Sequence, residues 1–178
     1  RMKALNRTDI RGLSIVNHQR NLPGLERQSV PFSTDILETA KANHVGLLTT
    51  WNLYRLLRSF LKLGWTHQQV AELFYKDGFI ESVPMHYEYV GHVEHYYGQK
   101  SAVTVRVEES ELKLGDRIAF RFPVEFDEQV IESLQVELEP VEVVRQGELA
   151  GILTHFTKEQ LKKGTSVYRV VSDLQVDT

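Results

Sequence analysis

Cysteine is absent from the 178 residues, so neither a disulfide nor a thiolate-bound metal contributes to this fold. Long hydrophobic runs are missing as well. No apolar stretch approaches the roughly 20 residues that a membrane span needs, and no signal peptide is visible, so a cytoplasmic protein without a membrane partner is expected. Nor is there an excess of basic charge. Lys and Arg number 21 against 24 Asp and Glu, a formal net charge of -3, so any nucleic-acid contact has to come from a local patch. The phosphate-cradling loop G-x-x-x-x-G-K-[ST] is also absent, which excludes a P-loop GTPase. Neither an internal repeat nor a low-complexity tract is present. What the chain does have is 42% apolar residues, enough to bury the core of one large domain or two small ones. It opens on Arg1-Met2-Lys3 without a capped element, and we expect this to be the cut edge of a longer protein.

The hydrophobic period divides the sequence. In the first half "GLSIVNH" (12–18) reads as a short β-branched strand, "VGLLTT" (45–50) as a buried-type strand, and "PFSTDILETAKANH" (31–44) as a helix with Ser33/Thr34 at its start. A second helix, "NLYRLLRSFLKLG" (52–64), sets Leu53, Leu56, Leu57, Phe60 and Leu61 on one face before Gly64. A third is expected over 66–80, with Thr66 and Gly78 as its caps. Strand, helix, strand, helix in this order implies a right-handed crossover and a parallel strand pair. After about residue 83 the period falls from 3.6 to 2, and short alternating segments follow one another between Gly, Pro and charged turns, the pattern of an antiparallel barrel. The expected fold class is therefore α+β: a partial α/β unit over 1–82, then an antiparallel β-barrel over 83–178. The inward set of that barrel should contain Val103, Val105, Ile118, Phe120, Val130, Leu134, Ile152 and Val167.

The turn in "LKLGDRIAF" (112–120) suits a glycine with positive φ, and Asp116 can accept backbone N–H groups inside it. It belongs to a longer series: Gly91 and Val93; Leu112, Leu114, Gly115, Asp116 and Ile118; Val130, Ser133, Leu134 and Gln135. The series continues with Gly147, Glu148, Leu149, Gly151 and Ile152, and ends with Gly164, Val167 and Tyr168. Taken in order, these motifs over 88–171 resemble domain 2 of the translational GTPases, the β-barrel of elongation factor Tu and its relatives. The resemblance implies a translation-factor-type barrel of about six or seven strands, closed or nearly so, used as an accessory module.

The first half, "GLSIVNHQRNLPGLERQSVPF" and "ETAKANHVGLLTTWNLYRLL", is similar to the distal part of the restriction-endonuclease-like PD-(D/E)XK fold. Its catalytic Asp and Glu-x-Lys would come earlier in such a domain, and no such pair precedes Gly12. The resemblance implies that this unit is the C-terminal part of a larger nuclease-like domain. No cofactor is then expected in this chain, and a divalent metal only in a parent protein. Independently of any resemblance, ligands of open parallel sheets lie beyond the carboxyl ends of the strands. Here those ends are polar: Asn17, His18, Gln19 and Arg20 after the first strand, Thr49 and Thr50 at the second. Asn17, His18, Arg20, Arg27, Thr49 and Thr50 are accordingly the candidate phosphate or nucleic-acid contacts, with the arginines as charged forks. The competing reading makes Asn17, Thr49 and Thr50 caps and turn formers and leaves the arginines solvated.

Other chemistry-bearing residues are expected to be structural. His92 and His95 lie three apart on a strand, which points them to opposite faces and argues against a metal pair. Tyr87, Tyr89, Tyr96 and Tyr97 are read as strand packing rather than base-stacking rings, and Glu108, Glu109 and Glu111 as a solvated turn. Two functional readings remain. One is a noncatalytic C-terminal fragment of a nuclease-like, nucleic-acid-associated protein carrying an accessory barrel. The other is a noncatalytic binding or assembly scaffold whose partner is a protein or a second copy of the chain.

Overall fold

The computed structural model describes residues 11–171. Backbone contacts divide the chain into two compact units, 1–85 and 86–178. The first holds β1 (Gly12–Val16), α1 (Thr34–Ala42), β2 (Val45–Thr49), α2 (Thr50–Leu63), α3 (His67–Ala71) and β3 (Gly78–Phe79). β1 and β2 are parallel, in register from Gly12 opposite Val45 to Val16 opposite Thr49. Local chemistry sets these boundaries. The Ser33 hydroxyl accepts from Ile36 N to open α1, Thr49 Oγ1 accepts from Asn52 N at 3.0 Å to open α2, and Gly64, at φ 66°, ends it.

Two expectations for this unit are corrected. The helix expected over 66–80 stops at Ala71, and after a single 3-10 turn (Glu72–Tyr75) the chain extends into β3, parallel to β2. Tertiary pairing overrides local propensity there: Ile80 N donates to Leu47 O, and the Ile80 side chain is fully buried. Gly78 takes φ 77° at the entry to a strand, not at a helix end. In α2 the inner face is Asn52, Leu56 and Ser59, with Asn52 Nδ2 donating to Ile80 O. Leu57 and Leu61, expected inside, are 46% and 79% exposed.

The second unit contains β4 (Tyr87–Tyr97), β5 (Ala102–Val107), β6 (Leu112–Lys113), β7 (Arg117–Arg121) and β8 (Phe126–Val130), then β9 (Leu134–Val136) and β10 (Glu139–Pro140). β11 (Val143–Val144), β12 (Leu149–Leu153) and β13 (Ser166–Val170) complete it. Eight of these strands form one antiparallel sheet in the order β10-β9-β12-β5-β4-β13-β7-β8, while β6 and β11 pair separately. The sheet curls until its last strand meets its far side: Gln129 Nε2 on β8 donates to Leu153 O on β12 at 2.8 Å, and Thr154 Oγ1 donates to Gln129 Oε1 at 2.7 Å. Side chains, not ladder bonds, bridge this seam. One cluster, centred on Val93, Val105, Ile118, Phe120, Ile152 and Val167, fills the interior. The sheet thus has eight strands where about six or seven were expected, its tenth-numbered strand being only two residues long.

Every residue of the expected inward set is buried except Val130, which is 43% exposed. The buried position belongs to its neighbour Ile131, because the chain leaves the β8 pleat there to bond the turn beneath it. Ile131 N donates to Asp116 O, and Gly115 N to Ile131 O. That turn is built as the sequence implied, with Gly115 at φ 90° and Asp116 Oδ2 accepting from Lys113 N at 2.8 Å. At Gly91 a Cβ would lie 1.8 Å from Arg106 O, so only glycine allows β4 and β5 to approach this closely.

Candidate functional site

The carboxyl ends of β1 and β2 are joined by side chains. Asn17 Oδ1 accepts from Thr50 Oγ1 at 3.0 Å and from Arg27 NH1 at 3.1 Å. Arg27 also folds the intervening loop onto itself, donating through Nε to Leu22 O and through NH2 to Arg20 O. His18 Nε2 meets Gln28 O at 2.8 Å, and Gln19, at φ 46°, accepts from Gln28 N. Asn17, Thr50 and Arg27 therefore converge. Thr49 is buried and spent on the α2 cap, His18 faces Gln28, and Arg20 lies exposed on the loop. Arg27 is a brace for the loop in this arrangement, and Arg20 is the guanidinium that meets solvent. At the opposite end of the strands Arg11 NH1 and His44 Nδ1 both reach Asp77, at 2.6 and 2.9 Å, and the His44 hydrogen bond chiefly holds its carboxyl below the usual range.

On the second unit β4 carries a bulge between Val93 and His95. His92 stands opposite Arg106 and His95 opposite Thr104, and directly opposed residues share a face of the sheet. Both histidines therefore face outward, where opposite faces had been expected, because the bulge inserts Glu94 between them. His92 sits between two carboxylates, 3.4 Å from Glu94 and 3.2 Å from Glu108. Glu94 is held below the ordinary carboxylate range first by Lys163, at 2.6 Å, and Glu108 first by the Tyr89 hydroxyl. Burial, reinforced by Glu108, drives the Tyr89 phenol well upward. Glu108, expected in a solvated turn, is thus tied to the strand face. Among the described residues no group of three or more His, Asp or Glu side chains is placed to hold a metal ion.

The outer face of β5, β12 and β9 forms a groove of about 1140 Å³. Its floor is Thr104, Gly151 and Gln135, which stand opposite one another across the three strands. Leu149 and Leu153 rise on either side of Gly151, and Leu138 closes the β9–β10 end. Tyr97 joins the rim at the other side, 48% exposed; Tyr96 is turned inward to bond Phe156 O, and Tyr87 is buried. Sequence reasoning missed this groove. Its one signal was the alternation Leu149, Gly151, Leu153, which sets a bare backbone between two outward leucines.

No protein-family model matches the sequence, and no curated protein matches it. Among solved structures, the C-terminal domain of a Geobacillus thermoleovorans protein described as a U32 peptidase is similar at 21% identity and TM-score 0.41, over 46% of this chain and 98% of that one. A second structure of that domain gives the same identity and TM-score, over 91% of its length. A bacterial selenocysteine-specific elongation factor is similar at 12% identity and TM-score 0.37, over 94% of this chain, which spans 28% of the factor. A translation factor stands among the similar structures.

Proposed function

We propose that the chain is a noncatalytic part of a nucleic-acid-associated protein, with its contact on the loop after β1. The observation that carries this reading is the Asn17–Thr50–Arg27 network. It braces a loop at the carboxyl ends of two parallel strands, where such sheets receive ligands, and leaves Arg20 on the solvent side. In this reading the α/β unit is the distal part of a nuclease-like domain. A divalent metal would then belong to carboxylates of the parent protein.

Fluorescence anisotropy with a 20-nucleotide single-stranded RNA and a 20-base-pair DNA, over a salt series, tests the contact. Arg20→Ala should weaken binding and lower the slope of log K against log salt by about 1. Identical affinity and slope in wild type and variant would leave the scaffold reading. That second reading is favoured by the apolar residues Leu57 and Leu61 on α2 and Leu13 and Ile15 on β1, all exposed. Its occupant is a second copy of the chain, and light scattering against concentration would show it.

A further inference from the structure

We propose that the groove on β5, β12 and β9 is a peptide-docking site, taking a linear segment with an apolar anchor beside an acidic residue. It lies on the second unit and is independent of the loop after β1. The first observation is strain. The β9–β10 turn places Glu137 at φ 51° and Leu138 at φ 72°, two consecutive left-handed residues where hairpins of this kind use Asn-Gly or Gly-Gly. Leu138 is moreover 76% exposed, so neither burial nor backbone preference accounts for a leucine there. Strained residues cluster at active sites and ligand clamps, and Leu138 lines the groove.

The second observation is shape. Gly151 leaves a depression between Leu149 and Leu153, which lie about 13 Å apart along the strand at some 3.3 Å per residue. A Cβ at Gly151 would only touch Gln135, at 3.5 Å, so the glycine is not demanded by packing beneath it. A single apolar side chain fits that depression, walled by leucines.

Charge identifies the flanking residue. Lys100 borders the groove at the start of β5 and Glu137 borders it at the β9–β10 turn, while Arg106 lies 3.9 Å from Glu94 and the Glu148 carboxylate accepts from Arg145 N at 2.6 Å. A carboxylate next to the anchor pairs with Lys100. A phosphate backbone running the length of the groove would meet Glu137 at the β9–β10 side, and its charge would gain little from the leucines. An anchor in a desolvated pocket with a charged neighbour is the usual economy of short-peptide recognition.

The test uses the full chain. A phage-displayed library of random 12-residue peptides is panned against it, and synthetic copies of the captured sequences are titrated by fluorescence anisotropy. A Leu, Ile or Phe adjacent to Asp or Glu should dominate the captured set. Gly151→Leu should weaken these peptides at least 10-fold by filling the depression. Leu138→Asn, which suits the left-handed turn and keeps the fold, should weaken them several-fold, Lys100→Glu should shift the captured set away from acidic residues, and Val130→Ala, on the outside of β8, should leave peptide binding unchanged. No enriched pattern, or binding untouched by Gly151→Leu and Leu138→Asn, overturns the proposal. So does a 12-nucleotide oligouridylate that binds and is displaced by the same two substitutions.

Discussion

Single side chains carry the clearest consequences. Ile118 is fully buried in the barrel core, and Ile118→Ala should cost about 2–5 kcal/mol of stability; Val130, on the outside of β8, should change it by less than about 0.5 kcal/mol when replaced by Ala. Urea midpoints of the two variants check the contrast. His86 gives a prediction in pH. Burial depresses its imidazole below the ordinary 6.5, with Glu128 opposing weakly. The unfolded chain therefore takes up a proton near pH 6.5 while the folded one does not, so this contribution is intact above that pH and is lost as pH falls from about 6.5 toward the lower folded value. Across pH 7.5 to 5.5 the urea midpoint of His86→Gln should decline less than that of wild type. At this scale the sequence was readable where a residue answers to its neighbours: Thr49 as a cap, Asp116 in its turn, Asn17 beside Thr50. Arg27 was not readable. Its role depends on a loop whose hydrogen bonds, to Asn17, Arg20 and Leu22, exist only once the chain has turned back on itself.

Elements were legible in proportion to how regular their surroundings are. α1, β2 and the parallel β1–β2 pair follow from period and capping, and the change to period 2 marks the barrel strands. The misreadings share a cause. The last part of the expected 66–80 helix was recruited as β3 because β2 offered it an open edge, and the helical face of α2 was drawn through leucines because a helical wheel does not know that Asn52 has a buried partner in Ile80 O. His92 and His95 came to one face through a single inserted residue. The groove is harder still, being assembled from strands distant in sequence whose outward residues carry no period of their own. The tightest element contact gives a further prediction. With Arg106 O only 1.8 Å from where a Cβ would sit, Gly91→Ala must part β4 from β5 and should cost at least about 2 kcal/mol. Thermal melting followed by near-ultraviolet circular dichroism would register it.

At the scale of the whole chain, a parallel α/β unit and an antiparallel barrel are joined in sequence near residue 85, and the two candidate surfaces lie one on each. None of the helices among the described residues is long and apolar enough to cross a membrane. The barrel is unequal around its circumference. The 11 residues of β4 are spanned by its ladders to β13 over 87–92 and to β5 over 91–97, whereas β8 reaches the far side of the sheet through the side chain of Gln129, bonded to Leu153 and Thr154. Local opening follows the weakest boundary. Placed in heavy water, the barrel should surrender amide protons to deuterium beside that seam, on β8 and β9, long before it does so along β4, and Gln129→Ala should quicken the first without altering the second. The seam is in this sense the clasp of the structure, and the clock of its breathing.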